Sequence, residues 1–149
     1  MSCYDINIRS LMPLSSQNYQ ELADFRYCLR RFLQFSEQQA REHQLEPQQH
    51  QAMLALKGLP PGTRPTVGEL AGRLLLKHHS TVELVNRLEK AGLVNRSPDP
   101  EDGRQTLIQL TAGGDAKLRS LSEAHQEELR VRGPELLRAL QVILRETGA

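Results

Sequence analysis

Apolar residues recur at helical spacing through most of the chain, and two short runs after its midpoint depart from that pattern. An apolar stripe with the period of an α-helix extends from about residue 16 to about residue 43, which predicts a long amphipathic helix. Pro47 suits the first turn of a second helix, and the glycines and prolines of residues 58–65 mark a loop after it. The segment before this loop is therefore predicted to be helical.

Two short helices joined by a tight turn are predicted between residues 66 and 91. Thr66 with Glu69, and Ser80 with Glu83, have the spacing of capping boxes, in which a side chain caps the first backbone amides of a helix. Gly92 fits the left-handed residue that ends many helices. The inner faces would be formed by Val67, Leu70, Ala71 and Leu74, and by Val82, Leu84, Val85 and Leu88. This order is the helix-turn-helix pattern.

Two strand-like runs, residues 93–97 and 105–110, flank a turn rich in proline and acidic residues and predict a β-hairpin. Thr111 can cap a following helix, and Gly133 with Pro134 is expected to break that helix and to start a separate, strongly apolar last helix. The predicted fold is mainly α. A short hairpin directly after a helix-turn-helix is the order of a winged helix-turn-helix.

Length and composition narrow the class of protein. The chain has 149 residues, which suits a single domain spanning residues 1–149, and its 19 basic residues nearly balance 18 acidic ones. It has no apolar run long enough to cross a membrane and no recognisable signal peptide, so a cytoplasmic protein is expected. It also lacks the nucleophile, metal-protease and phosphate-binding motifs of common enzymes, so we expect no enzyme activity and no cofactor.

Residues 81–114, "TVELVNRLEKAGLVNRSPDPEDGRQTLIQLTAGG", carry the most specific pattern in the chain. They resemble the multiple-antibiotic-resistance repressor (MarR) family, and the resemblance extends from about Tyr19 to the last helix. The matching positions are Arg87, Leu88, Glu89, Gly92, Leu93, Val94, Arg96, Asp99, Pro100, Asp102, Arg104, Leu110, Thr111 and Gly114. Several matches at fixed spacing are far more specific than any one of them.

The resemblance implies a homodimer that binds a pseudo-palindromic site in double-stranded DNA, usually as a transcriptional repressor. Many dimers of this family release DNA when a small-molecule effector binds, so such an effector is a possible partner here. Residues 16–57 and 111–149 would form a helical dimerisation region built from the N- and C-terminal helices. Residues 58–110 would form the winged helix-turn-helix module. In this family the second short helix enters the major groove, whose base edges carry a distinctive code.

The resemblance also implies a set of DNA-binding residues. Arg104 would enter the minor groove from the wing, where a single arginine can use the concentrated negative potential. Asp102 would hold that arginine by a charge-assisted hydrogen bond. The outward part of the recognition helix would be formed by His78, His79, Ser80, Val82, Glu83 and Asn86. The expected phosphate contacts are Lys77, Arg87 and Arg96.

Some features permit a different interpretation. Residues 66–111 hold six basic and six acidic residues, so a winged module that binds only proteins or ligands, and not DNA, would have the same charge. Glu46 stands where the family often has a capping threonine, and Gly103 where many relatives carry another cation. Cys28 is expected to be a small buried hydrophobic residue, although a redox sensor is the alternative. Cys3 falls in a predicted tail and forms no disulfide framework with Cys28.

The remaining candidate ligands do not form a set. Cys28, Glu42 and His43 lack the histidines after the wing that a complete metal site would need, so no metal is expected. His50 and His125 are interpreted as isolated histidines, each on the surface or in the core.

Overall fold

The computed structural model describes residues 13–147, which form five helices and two strands. In chain order these are α1 (Ser16–Glu42), α2 (Pro47–Lys57), α3 (Val67–Leu74), α4 (His78–Lys90), β1 (Val94–Pro98), β2 (Thr106–Leu110) and α5 (Ala112–Thr147). The prediction of a mainly helical chain with a small hairpin after a helix-turn-helix is confirmed. Within the described part, every helix is too short or too polar to span a bilayer.

The two long helices, α1 and α5, pack against each other, and α2 joins them to the helix-turn-helix. Ser15 caps α1 because its hydroxyl oxygen accepts a hydrogen bond from the backbone amide of Asn18. At the start of α2, Pro47 occupies the first turn and the side-chain oxygen of Gln49 accepts from the amide of Glu46 at 2.9 Å. Residue Glu46 therefore starts a well-formed helix although it is not a threonine.

The prediction of a helix break at Gly133 and Pro134 is wrong, because α5 continues without interruption from Ala112 to Thr147. Proline removes one backbone hydrogen bond and can kink a helix without ending it. In a helix of 36 residues most of the other hydrogen bonds remain. An ion pair between Arg31 of α1 and Glu135, at 3.2 Å, also fixes the residue next to the proline.

The helix-turn-helix differs from the expected capping pattern. The Thr66 hydroxyl accepts from the Glu69 amide at 3.1 Å, but the Glu69 carboxylate binds Arg73 at 3.2 Å, so only half of the first capping box forms. The prediction of a second capping box, formed by Ser80 and Glu83, is wrong, because α4 begins at His78 and Ser80 lies inside its first turn. Leu75, with φ of 55°, ends α3 in the left-handed region, and Lys77, two residues later, is the N-cap of α4.

The hairpin pairs β1 with β2 in antiparallel register from Val94 with Leu110 to Pro98 with Thr106. The segment before α3 adds to its edge, because Pro65 accepts a hydrogen bond from the amide of Ile108 at 2.8 Å. Gly92 has the predicted left-handed conformation, with φ of 74°.

The start of α5 lies against the chain that leads into the hairpin. Thr111 caps the helix by accepting from the amide of Gly114 at 3.0 Å, and its own hydroxyl donates to the carbonyl of Gly92 at 2.7 Å. A side chain at Gly114 would collide with the carbonyl of Leu93, so only glycine permits this close approach.

One hydrophobic core joins residues from every element. The predicted inner residues Leu84, Val85 and Leu88 of α4 are buried, whereas Val82 is only half-buried and Thr81 takes the remaining inner position. The core consists of Ala40, Leu45, Ala52, Met53, Leu56, Leu70, Leu84, Val85, Leu88, Leu93, Val94, Ile108, Leu118 and Leu121. The helix-turn-helix and hairpin are therefore packed on α2 and α5 as one body.

Candidate nucleic-acid interface

The outer face of α4 carries most of the residues expected to read DNA. His78, His79, Glu83 and Asn86 are exposed. Ser80 and Val82 are half-buried, because they lie closer to the inner face that Thr81 and Leu84 form. This face presents both hydrogen-bond donors and hydrogen-bond acceptors.

The N-terminal end of α4 has no side-chain cap. Lys77 is the N-cap residue, is exposed, and makes no capping hydrogen bond. Thr81 bonds back to the Lys77 carbonyl through both its amide, at 3.1 Å, and its hydroxyl, at 2.9 Å. The first backbone amides of a helix carry partial positive charge and attract anions such as phosphate. The uncapped start of α4 therefore adds positive potential beside a lysine.

Two of the expected phosphate contacts are engaged within the protein. The Nε atom of Arg87 lies 3.2 Å from the Glu46 carboxylate, which connects α4 to the start of α2. Arg96 of β1 donates to the side-chain oxygen of Asn86 and lies 3.8 Å from the Glu89 carboxylate. These contacts fix the orientation of α4 against its neighbours, and they partly neutralise both arginines.

Three other cations of residues 66–111 have no carboxylate partner among residues 13–147. They are Lys77 at the start of α4, Lys90 at its end, and Arg104 in the turn of the hairpin. Although residues 66–111 have no net charge, their unpaired positive charges lie at defined positions. Two of these positions are the ones that the sequence predicted for DNA contact.

Asp102 supports Arg104 in a different way from the one expected. Its Oδ1 atom accepts a hydrogen bond from the backbone amide of Arg104 at 3.1 Å, which closes a turn at the tip of the hairpin. Within the described residues no carboxylate pairs with the Arg104 guanidinium. Asp102 therefore shapes the backbone that presents Arg104, and the guanidinium itself stays exposed and available.

The acidic side of the hairpin turn is held by Arg64, which sequence reasoning missed. One guanidinium nitrogen of Arg64 lies 2.6 Å from Oδ2 of Asp99, and the other donates to the Glu101 carboxylate. Arg64 lies in the loop before α3, far from the hairpin in sequence, so no local pattern indicates this contact.

The residues considered for sensing lie elsewhere. His50 is buried, within the placement expected, but the two histidines are not isolated, because the tilted rings of His50 and His125 have centroids 4.8 Å apart. Cys28 is a free, half-buried residue at the junction of α1 and α5, less buried than expected in the single chain. Cys3 lies outside the described residues. No group of three or more potential metal ligands occurs within residues 13–147.

Comparison with known proteins identifies the family. A family model described as the MarR family matches residues 43–105, which include the helix-turn-helix and the first strand and turn of the hairpin. The uncharacterized HTH-type transcriptional regulator YsmB of Bacillus subtilis (strain 168) is 30% identical over 121 residues, which cover 78% of this chain and 81% of the relative.

Solved structures share the fold. A MepR mutant of Staphylococcus aureus bound to an oligodeoxyribonucleotide has a TM-score of 0.63 and 20% identity, covering 87% of this chain and 96% of MepR. CouR from Rhodococcus jostii RHA1 bound to p-coumaroyl-CoA has a TM-score of 0.64 and 20% identity, covering 77% and 80% of the two chains. From the family match, the relative and the shared fold, we conclude that this chain belongs to the MarR family of transcriptional regulators.

Proposed function

We propose that this protein is a repressor that binds a pseudo-palindromic operator in double-stranded DNA as a homodimer. The observation that carries the proposal is the unpaired guanidinium of Arg104 in the hairpin turn, on a module whose other arginines are mostly neutralised. A nucleic acid would pair with a free cation at this position, because its phosphate backbone is negatively charged. The MepR mutant that shares this fold is bound to an oligodeoxyribonucleotide, which supports the same partner for this chain.

In this proposal α4 enters the major groove and the hairpin, as the wing, follows the backbone to the adjacent minor groove. His78, His79, Ser80, Val82, Glu83 and Asn86 contact or approach base edges. Lys77 and the uncapped amides of α4 contact phosphate, because both are positive and exposed. Arg104 enters the minor groove, and Asp102 shapes the turn that presents it.

Arg87 and Arg96 remain phosphate contacts in the proposal, under one condition. To contact phosphate, each arginine must release its carboxylate partner or share it with the phosphate. That partner is Glu46 in the case of Arg87 and Glu89 in the case of Arg96. Such an exchange offsets part of the attraction to phosphate. We therefore expect these two arginines to contribute less to affinity than Lys77 and Arg104.

The homodimer is supported by apolar side chains left exposed on both long helices. Tyr19 and Tyr27 of α1 are 62% and 60% exposed, and Leu137 of α5 is 56% exposed. Leu22 and Leu140 are exposed on the same two helices. Several exposed large apolar residues on adjoining elements indicate an interface, because a monomer gains nothing by exposing them to water. A second copy of these helices would cover them.

A small-molecule effector is part of the proposal. CouR, which shares the fold, is bound to p-coumaroyl-CoA. In this chain a groove of about 420 Å³, within the usual range for ligand sites, lies between the end of α2, β2 and the start of α5. The ion pair between Lys57 and Asp115, at 2.8 Å, borders it. A ligand that separated these elements would change the position of the hairpin relative to α5.

Selection of bound duplexes from a random DNA pool tests the proposal. We expect enrichment of an inverted repeat with A·T-rich flanks, and tight binding to the full repeat but not to one half-site. Lys77→Ala should weaken binding more than its matched control, Lys90→Ala, which removes an equally unpaired cation from the other end of α4. If no duplex is bound even at low salt, the alternative of a protein- or ligand-binding winged module replaces this one.

A further inference from the structure

We propose that Arg64 is a positioning residue for DNA binding, which anchors the wing through Asp99 and Glu101 and so determines where Arg104 meets DNA. This inference rests on the proposed function, but the contacts themselves do not. They join the loop before the helix-turn-helix to the turn of the hairpin across 35 positions in sequence. Arg64 would thus affect DNA binding through its effect on the position of Arg104.

Asp99 is the centre of the anchor. It is only 4% exposed, and both of its carboxylate oxygens are used. Oδ2 accepts from Arg64 at 2.6 Å, and Oδ1 accepts from the backbone amide of Glu101 at 2.9 Å. The amide of Asp99 donates to the carbonyl of Gln105 across the turn, also at 2.9 Å. One side chain therefore fixes both the turn of the wing and its link to Arg64.

The backbone of Arg64 is held in place by the contacts of the next two residues with β2. The next residue, Pro65, accepts from the amide of Ile108 in β2, and Thr66 forms a bridge with Leu107 while capping α3. The backbone of Arg64 is thus tied to the base of the wing, and its side chain is tied to the turn. A two-stranded hairpin alone is marginally stable in water, so these added contacts determine its orientation.

The ion pairs also change the charge that the wing presents. Without Arg64, the carboxylates of Asp99 and Glu101 would have no cationic partner. They lie in the same turn as Arg104, so their negative charge would repel phosphate there. A buried carboxylate that loses its partner is also strongly unfavourable, so the turn would rearrange to hydrate Asp99. Both effects would move or weaken the contact of Arg104 with the minor groove.

The test compares variants in binding to the selected operator, measured by fluorescence anisotropy over a salt series. Arg64→Ala should weaken binding about tenfold, because it costs a large part of the wing contact. Loss of a direct phosphate contact would give the same sign, so Asp99→Asn is the decisive variant. Bulk electrostatics predicts that it strengthens binding, whereas the anchor predicts that it weakens binding. Arg73→Ala, which removes an exposed arginine paired within α3, is the matched control.

A double-mutant cycle tests whether Arg64 acts through Arg104. In an Arg104→Ala background the effect of Arg64→Ala should fall to less than about twofold, because residues that act through one contact are not additive. An undiminished effect in that background, or tighter binding by Asp99→Asn than by the wild-type chain, would overturn the inference. Arg64→Lys should restore part of the affinity, since it keeps the charge but not the two-pronged contact.

Hydrogen exchange without DNA separates this inference from the proposed function. In Arg64→Ala the amides of residues 95–107 should exchange faster while those of α1 and α5 keep their rates. Unchanged exchange in the hairpin would show that Arg64 does not hold the wing. If the wild-type chain bound no duplex but exchange changed as expected, the anchor would stand and the DNA-binding function would fail.

Discussion

The rings of His50 in α2 and His125 in α5 are in tilted contact, with centroids 4.8 Å apart and planes inclined by 43°. Nδ1 of His125 donates to the carbonyl of Leu121 at 2.6 Å, so in the neutral ring Nε2 must accept from the hydroxyl of Ser36 at 2.8 Å. Phe32 and Phe35 of α1 meet the His125 ring edge-on. The two histidines and their contacts therefore join α1, α2 and α5.

We expect the folded protein to lose stability in mild acid because of His50, which is 2% exposed. Burial, with smaller contributions from His125 and His43, lowers the pKa of His50 from 6.5 to about 4. The unfolded chain takes up the proton first, so this stability is complete above pH 6.5 and is lost as the pH falls toward 4. Urea unfolding should show a loss of roughly 2 kcal/mol between about pH 7.5 and about pH 5.

The control for this prediction is a second histidine variant. His50→Gln removes the titrating group and should flatten the pH dependence, whereas His79→Gln, at an exposed position of α4, should leave it unchanged. Equal pH dependence in wild type and His50→Gln would show that other groups cause the acid sensitivity.

Leu75→Gly should stabilise the protein. Leu75 is 90% exposed and has φ of 55°, so its side chain gains little from burial while its backbone occupies a region unfavourable to L-residues. Glycine removes roughly 1–2 kcal/mol of that strain and loses about 0.5–1 kcal/mol through the greater freedom of the unfolded chain. The free energy of unfolding in urea should rise by up to about 1.5 kcal/mol. Leu75→Ala keeps the Cβ atom and should bring no such gain; an equal gain would attribute the effect to removing the exposed leucine.

Arg104→Ala should reduce the salt dependence of operator binding. One cation is lost from each wing of a dimer, so the slope of log K against log salt should become shallower by up to about two. The loss of affinity should be largest on operators with A·T-rich flanks, whose narrow minor grooves attract arginine.

Asp102→Ala provides the opposing control for Arg104. It removes a negative charge, so general electrostatics predicts tighter binding, but it also removes the hydrogen bond that shapes the turn before Arg104. We expect weaker binding than in the wild type, though stronger than in Arg104→Ala. Tighter binding at every salt concentration would mean that the turn does not position Arg104.

Leu137→Glu should dissociate the dimer and abolish tight operator binding. A glutamate in the centre of an apolar interface is a charge removed from water without a partner, which costs several kcal/mol. Sedimentation should show a folded monomer, or a dimer weakened by orders of magnitude. Ser120→Glu, an exposed position in the first half of α5, is the matched control and should remain dimeric. A Leu137→Glu dimer of unchanged affinity would place the interface elsewhere.

Local features were determined by the sequence alone, because each depends on residues within a few positions of one another. The apolar period of α1, the proline at the start of α2, the cap at Thr66 and the left-handed Gly92 were all predicted and confirmed. The family pattern around the hairpin was equally readable, because its residues are close in sequence.

Tertiary structure decided the features in which distant residues compete for a partner. The α5 helix continues through Pro134, where Arg31 of α1 pairs with Glu135. The partners of Arg64, Arg87 and His50 lie 35, 41 and 75 positions away in the chain. Charge and burial depend on distance in space, so no pattern within a single helix or hairpin could show that Arg64 is neutralised while Arg104 remains free.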